Sequence, residues 1–279
     1  MPLPLGLSIY RKFTKAPTEI MLLDFSHKDL TTSDLTAKLL EIGDLSGVTT
    51  LNLRDNRLTD LPPAVCQLES LQTLWLSGNQ LITLPHEISR LTSLQGLGLS
   101  GNRLSSIPLD FGRLTNLRTL HLSGNRLSSV PPGIGQLVGL RDLRIRGNQI
   151  SRLPTEVGQL ENLRDLDLSE NQIDCLPPEI GGLVHIETLL LDGNRLSSLP
   201  PEIGRLLRLQ KLRLTCNQIV NLPPEIGQLE SLRELYLRFN QLTALPSEIG
   251  QLKRLQKLDI KFNQLGDLQL TWPGLKVYR

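Results

Sequence analysis

Residues Leu71–Leu94 read LQTLWLSGNQLITLPHEISRLTSL, and most of the chain repeats this stretch. Its asparagine, Asn79, belongs to a series of asparagines spaced 23 residues apart. The series is Asn56, Asn79, Asn102, Asn125, Asn148, Asn171, Asn194, Asn217, Asn240 and Asn263. A fixed period of this length indicates a solenoid, in which each unit buries its apolar face by stacking on its neighbours.

Each repeat combines two hydrophobic patterns. The segment LxxLxL before the asparagine alternates like a strand with one buried face. The segment PxxIxxL after it has the three-to-four residue spacing of a helical turn, which proline starts well. We therefore predict an α/β repeat made of a short strand, a turn and a short helical or irregular arm on the convex side.

The asparagine and proline columns are interpreted as structural. An amide side chain pairs with backbone groups left open where strand becomes turn, so that stacked asparagines form a ladder through the core. The prolines, from Pro62 to Pro246, fix φ and lack an N–H that the arm does not need.

The N-terminal residues 1–47 are predicted to be a cap that includes a first, longer repeat. Lys28 stands where asparagine is expected, 28 residues before Asn56. The extra length predicts a true helix with Thr32 or Ser33 as its N-cap. Leu35, Leu39 and Ile42 are predicted to share one face of this helix. Residues 1–19 have no repeat pattern and are either a loose arm or part of the cap.

Tandem units fill residues 48–268, and residues 269–279 are predicted to be a degenerate capping arm. Gln269 replaces the proline, and Trp272 and Leu275 fall on the Ile and Leu sites. Tyr278 falls on the site that opens a strand, but no further strand is expected. A terminal repeat must close the core against water, so Trp272 and Tyr278 are interpreted as lids.

The variable positions between the strand leucines point out of the sheet and form columns. The central column is Asn52, Trp75, Gly98, His121, Arg144, Asp167, Leu190, Arg213, Tyr236 and Asp259. Exposed Trp, Tyr and Arg are the residue types that most often anchor protein interfaces. The predicted partner-binding residues are Trp75, His121, Arg144, Asp167, Arg213, Tyr236, Arg238 and Asp259.

Two parts of this surface keep an alternative interpretation. The mixed-charge middle around Arg144 and Asp167 is either a contact region or a solvated face of salt-bridged residues. Phe239 and Phe262, which directly precede their asparagines, either pack on the strand edge or contact a partner.

The pattern LxxLxLxxNxLxxLPxxIxxLxxL resembles that of intracellular leucine-rich repeat proteins of the Ras-suppressor-like class. PPEIG at Pro177–Gly181, Pro200–Gly204 and Pro223–Gly227 adds to this resemblance. The resemblance implies a curved horseshoe with a parallel sheet on its concave face, acting as a protein-binding scaffold. Relatives take part in small-GTPase and adhesion signalling.

Composition and motifs favour a scaffold over other classes. The net charge is +2, which gives no field that would favour nucleic acid. The four histidines lie in different repeats and no Ser or Cys nucleophile sits in an activated turn, so we expect no catalysis, metal or cofactor. No run has the length of a membrane span.

Cys66, Cys175 and Cys216 are scattered rather than clustered at the ends, whereas extracellular leucine-rich repeat proteins commonly carry disulfide caps. The first residues lack the features of a secretory signal. We expect a cytoplasmic monomer that works as a protein-binding adaptor on its concave face. The alternatives are a recognition module of a larger enzyme complex or a pathogen effector, and a purely structural spacer.

Overall fold

The computed structural model describes residues 9–10, 21–266 and 275–278. These residues form one 13-stranded sheet whose strand order follows the chain. The strands are β1 (Ile9–Tyr10), β2 (Met21–Asp24), β3 (Val48–Asn52), β4 (Thr73–Trp75), β5 (Gly96–Gly98), β6 (Thr119–His121), β7 (Asp142–Arg144), β8 (Asp165–Asp167), β9 (Thr188–Leu190), β10 (Lys211–Arg213), β11 (Glu234–Tyr236), β12 (Lys257–Asp259) and β13 (Lys276–Tyr278). Strand β1 pairs antiparallel with β2, and the pairs from β2 to β13 are parallel, as the leucine-rich repeat solenoid requires.

The strand leucines point into one continuous core. Leu74 in β4 and Leu97 in β5 are fully buried and pair across the strands. The buried cluster runs from Leu23 to Ile260. Because side chains alternate along a strand, burying each central leucine leaves the residues on either side of it on the opposite face of the sheet.

The arms are single 3₁₀ turns of five residues in the described part of the chain. They span Pro63–Gln67, His86–Arg90, Leu109–Arg113, Pro132–Gln136, Thr155–Gln159, Pro178–Gly182, Pro201–Arg205, Pro224–Gln228 and Ser247–Gln251. Pro200 precedes its turn with φ −69° and ψ 148°. The other arm prolines have φ between −55° and −69° and ψ between 137° and 150°, so proline sets the entry to each turn. The isoleucine of each PxxI motif is buried and its carbonyl closes the turn, as for Ile203.

The first arm is a true α-helix, α1, at Thr32–Ile42, as the extra residues predict. Its N-cap is Thr31, so the prediction of Thr32 or Ser33 was wrong by one or two positions. The Thr31 side chain accepts from the Asp34 N–H, and the Asp34 carboxylate accepts from the Thr31 N–H. This reciprocal capping box fixes the helix start. Leu35 and Leu39 are buried, and Ile42 packs partly buried against the core.

The asparagine ladder is present throughout the repeats. Asn148 Nδ2 donates to the carbonyl oxygens of Leu122 at 3.0 Å and Ile145 at 2.9 Å, and Asn148 Oδ1 accepts from the Leu127 N–H at 3.0 Å. The asparagines from Asn79 to Asn263 have partners at these same offsets, whereas Asn56 pairs across the longer first repeat with the Phe25 oxygen and the N–H groups of Lys28 and Leu30. The amide therefore links two consecutive repeats at the end of each strand, which confirms its structural role.

The C-terminal end differs from the prediction. Strand β13 pairs in parallel with β12 and places Tyr278 opposite Asp259, so a further strand does follow β12. Tyr278 is 40% exposed and is not a lid over the core. Trp272 and Gln269 lie outside the described residues, as do residues 1–8 and 11–20. Leu275 packs partly buried against the core.

Candidate functional site

The strand register places the predicted site residues in one row across the concave face. Consecutive strand pairs align Trp75 with Gly98, Gly98 with His121, His121 with Arg144, and Arg144 with Asp167. The same row continues through Leu190, Arg213, Tyr236 and Asp259. Arg238 lies two residues beyond Tyr236 in the next column. The row is far too long for these side chains to converge, and the structure groups them into separate clusters.

Tyr278 is a member of this row that the sequence analysis missed. It follows Asp259 by 19 residues rather than 23, so the shortened last unit breaks the register that identified the other members. The alternation of Lys276, Val277 and Tyr278, with the apolar residue in the middle, is the signal that could have found the strand.

Trp75 lies against the backbone of the neighbouring strand. A Cβ atom added to Gly98 would be 2.4 Å from Trp75 Cε3, and one added to Gly96 would be 3.6 Å from Trp75 Cη2. The two glycines of β5 are therefore covered by the indole ring. The Arg54 guanidinium lies 4.4 Å from the ring centroid, and the His121 ring lies 6.4 Å away. Packing and a cation–π contact thus hold the half-buried Trp75 in place.

Asp142 contacts both His121 of β6 and Arg144 of β7 in the middle of the concave face. Its Oδ2 lies 3.0 Å from His121 Nε2 and 3.0 Å from an Arg144 guanidinium nitrogen. Burial alone would raise the pKa of Asp142, but hydrogen bonds with His121 and Arg144 and the positive charge of Arg144 hold it below the usual value. Nearby, Arg146 pairs with Glu170 at 2.6 Å, where both side chains are more than half exposed. Salt bridges are therefore present in the middle of the face, although Asp167 takes part in none among the described residues, and a contact role for this region stays a prediction.

Tyr236 lies within a cluster of charged side chains. The Arg213 guanidinium is 5.3 Å from the ring centroid and the Lys211 ammonium is 5.7 Å from it. The tyrosine hydroxyl donates to Glu234 Oε2 at 3.1 Å. Burial would raise the pKa of Glu234, but hydrogen bonds from Lys211 and Tyr236 and the Lys257 charge lower it. Arg213 also forms an ion pair with Asp192, so its charge is already partly compensated.

Phe239 and Phe262 form an exposed aromatic pair at the rim of the sheet. Their ring centroids are 4.4 Å apart with an interplanar angle of 8°. The rings are 44% and 60% exposed, so neither is packed into the core. The Arg238 guanidinium lies 4.7 Å and 4.8 Å from the two centroids. The rings therefore pack on each other and on Arg238 while remaining accessible.

The described residues offer no cluster of side chains suited to holding a metal ion. No group of three or more His, Cys, Asp or Glu side chains converges in the ranges 9–10, 21–266 and 275–278. Among the cysteines, Cys66 is buried, and burial raises the pKa of its thiol to about 11, so that it is a poor nucleophile. Cys175 and Cys216 are exposed and free.

Three family models match the chain: "Leucine rich repeat" at residues 46–104, "Leucine Rich repeats (2 copies)" at 92–134, and "Leucine-rich repeat region" at 130–215 and 178–269. The chain therefore belongs to the leucine-rich repeat family. A comparison with curated proteins gives no match. Within the described residues, none of the helices is long and apolar enough to cross a membrane.

Solved structures with the same architecture include two plant receptors. The leucine-rich repeat ectodomain of the membrane receptor kinase GASSHO1/SCHENGEN3 from Arabidopsis thaliana, in complex with CASPARIAN STRIP INTEGRITY FACTOR 2, is 34% identical over 78% of this chain, with a TM-score of 0.70. The plant peptide hormone receptor RGFR1 in complex with RGF2 is 30% identical over 80% of this chain, with a TM-score of 0.68. This chain spans 30% and 41% of the length of those two chains.

A bacterial structure supports the fold alone. The functional domain of InlJ from Listeria monocytogenes is 24% identical over 92% of this chain and 52% of its own, with a TM-score of 0.77. The two plant receptor structures are interaction modules with named partners, and the three family models that match the chain describe leucine-rich repeats.

Proposed function

We propose that the chain is a non-catalytic scaffold that binds a protein partner on the C-terminal part of its concave face. The observation that carries this proposal is the support given to Tyr236. Arg213 and Lys211 flank its ring and Glu234 holds its hydroxyl. The core does not require a ring here, since Gly98 occupies the same row. A large ring held in place before binding loses little conformational freedom when a partner contacts it.

The charges around Tyr236 favour a partner surface that is both acidic and apolar. Lys211 and Lys257 both lie near Glu234, at 3.1 Å and 3.5 Å, so this carboxylate is shared between two cations. A hollow of about 280 Å³ beside Arg213, lined also by Leu190 and Asp192, offers space for a partner side chain. The two plant receptor structures, which each hold a named binding partner, also support a polypeptide ligand for this chain.

Trp75 and His121 form a second proposed contact nearer the N-terminus. The ring of Trp75 lies on the β5 glycines and also contacts Arg54, so that the side chain is half-buried. This arrangement leaves less of the ring available than the sequence pattern suggested. We therefore give the C-terminal cluster the main role and Trp75 a supporting one.

The test is a double substitution, Tyr236→Ala with Arg213→Ala, compared with Arg208→Ala at an exposed position in the turn between the arm Pro201–Arg205 and strand β10. Partners captured by the natural chain in cells are quantified on each variant, and each variant is melted. Truncation of an interface anchor typically costs about 2 kcal/mol or more of binding. We expect partners to be lost only from the double variant, with the fold intact. Equal capture by all three chains, with unchanged melts, would place the binding face elsewhere.

We further propose that the chain works as a monomer in the cytoplasm and belongs to the Ras-suppressor-like class, in small-GTPase or adhesion-type signalling. The PPEIG motifs and the three free cysteines support this assignment. Imaging of a tagged chain, light scattering of the purified chain and capture of GTPases loaded with either GDP or a GTP analogue test its three parts. Secretion, dimerisation or absence of any GTPase among the captured proteins would each remove the corresponding part.

A further inference from the structure

The residue before each repeat asparagine adopts a left-handed backbone conformation. Five repeats carry glycine at this position, with φ between 65° and 71°: Gly78, Gly101, Gly124, Gly147 and Gly193. Phe239 and Phe262 occupy the same position with φ of 55° and 56°. A bulky side chain is disfavoured in this region because its Cβ crowds the backbone. The two phenylalanines therefore stand where the fold itself would accept glycine.

Burial does not offset this cost. The rings are 44% and 60% exposed, whereas Phe111, a core residue of the turn Leu109–Arg113, is 1% exposed. The left-handed backbone directs each side chain out over the rim rather than toward the leucines. What the rings contact is each other and Arg238, at the distances given above.

The charge at this rim is positive, and no acidic side chain of the described residues pairs with it. In the described part of the chain, neither Arg238 nor Lys261 forms an ion pair, and Arg238 Nε is buried without a hydrogen-bond partner. Contact with two ring faces removes water from part of the guanidinium without supplying an anion. A carboxylate approaching Arg238 would compensate this charge while an adjoining apolar group covered the rings.

We propose that Phe239, Phe262 and Arg238 form a docking site, the rim site, for a protein segment in which a large apolar side chain is flanked by Asp or Glu. The rim site rests on the proposed function and names the chemistry of the segment that function requires. A polypeptide fits better than a nucleic acid, because a short segment can place a single carboxylate at Arg238, whereas a phosphate backbone carries a negative charge at every unit and would also meet Glu234 and Asp259 on the same two strands.

The variant that tests the rim site is Phe239→Gly with Phe262→Gly, because glycine is the resident residue in five other repeats. It removes both rings and relaxes the backbone, so we expect its melting temperature to equal or exceed that of the natural chain. Asp55→Gly, at the same left-handed position in a distant repeat, is the matched control. A large fall in melting temperature for the double variant alone would show that the rings are structural and overturn the proposal.

The probe is a phage-displayed library of random 12-residue peptides, selected on the full chain. We expect the enriched peptides to share a large apolar residue next to acidic residues. Fluorescein-labelled copies should bind the double glycine variant and Arg238→Ala at least tenfold more weakly than the natural chain, and Asp55→Gly equally well. Failure to enrich any peptide, enrichment without acidic residues, or equal affinity for the double glycine variant would each overturn the proposal.

The same labelled peptides separate the rim site from the central cluster. Loss of binding to Tyr236→Ala/Arg213→Ala, with full binding to Phe239→Gly/Phe262→Gly, keeps the proposed function and overturns the rim site. Loss of peptide binding to Phe239→Gly/Phe262→Gly alone keeps the rim site and shows that Tyr236 and Arg213 do not anchor the peptide. Binding of a labelled single-stranded DNA that depends on the two phenylalanines would show a nucleic-acid ligand and overturn the proposal.

Discussion

A single amide group does the same task in every repeat. Asn148 is 7% exposed and forms buried hydrogen bonds to two carbonyl oxygens and one N–H. Arg144, four residues earlier in the same repeat, is exposed and forms its ion pair with Asp142. Removal of the Asn148 side chain should therefore cost more stability than removal of the Arg144 side chain, although both belong to the same repeat.

The first prediction compares these residues. Asn148→Ala should lower the free energy of unfolding by about 1–3 kcal/mol, because buried backbone groups lose their partners. Arg144→Ala should change it by less than about 1 kcal/mol, since it removes a surface ion pair. Urea denaturation measures both. Similar losses for the two variants would contradict the assignment of inward and outward positions.

The second prediction concerns the glycine under Trp75. Gly98→Ala places a Cβ atom 2.4 Å from Trp75 Cε3, so the indole must move off β5 and into water. We expect the Trp75 fluorescence, measured in a Trp272→Phe background, to shift to longer wavelength. Trp75→Ala should make the Gly98 substitution harmless in a double-mutant cycle. An unshifted spectrum would mean that the ring does not lie on the glycine.

Among the arms, close stacking depends on glycine. A Cβ on Gly158, in the turn Thr155–Gln159, would lie 2.3 Å from the carbonyl oxygen of Glu179 in the following turn. A backbone oxygen cannot move aside as a flexible side chain can. A Cβ on Gly139, by contrast, would come no closer than 3.4 Å to Thr115 and its neighbours, which is ordinary contact.

The third prediction uses this contrast. Gly158→Ala should destabilise the chain by about 1–3 kcal/mol, since the two arms must separate to admit the methyl group. Gly139→Ala should have an effect on the order of 0.5 kcal/mol or less. Chemical denaturation of both variants is the measurement. If Gly139→Ala proved as costly as Gly158→Ala, general loss of glycine rather than arm stacking would be responsible.

The repeating elements could be predicted from the sequence because each is specified many times. The strand, the proline-led turn and the asparagine ladder follow from offsets that recur in every unit. The start of α1 occurs once, and three neighbouring residues, Thr31, Thr32 and Ser33, can each cap a helix. The structure selects Thr31 because Asp34 lies three residues on and completes the capping box.

The candidate site was less predictable because its contacts depend on side-chain reach. The columns were correct, but nothing in the spacing shows that Arg213 turns toward Asp192 or that Trp75 lies on β5. The outward direction of Phe239 and Phe262 was, however, encoded. Glycine at the same position of five repeats indicates positive φ, and that geometry carries a side chain away from the core.

For the whole molecule, contacts are made between neighbouring repeats, and stability should be correspondingly local. Strand β13 is held through the Ile260 N–H, which donates to the Tyr278 carbonyl at 2.9 Å, and the Lys276 N–H, which donates to the Gln256 carbonyl at 2.8 Å. Removing β13 would therefore leave the edge of β12 without its pairing strand and would remove no backbone contact from the distant repeats.

The fourth prediction is that deletion of residues 275–279 accelerates amide hydrogen exchange around β12, at residues 255–263, and leaves β7 unchanged. Exchange followed by mass spectrometry gives both values on one sample. Unchanged exchange at 255–263 would mean that β13 does not protect its neighbour. Acceleration that reaches β7 would mean that the solenoid unfolds as a single cooperative unit rather than repeat by repeat.

The common row of Trp75 and Tyr236 has a geometric consequence. Their strands, β4 and β11, are seven strand steps apart, roughly 34 Å at about 4.8 Å per step. Inserting or deleting one 23-residue unit between them would keep the repeat register and would change the separation of the two rings by one strand spacing. The number of repeats thus sets the distance between the two rings in steps of one strand spacing. A partner that contacts both rings would therefore distinguish solenoids that have the same surface residues but different numbers of repeats.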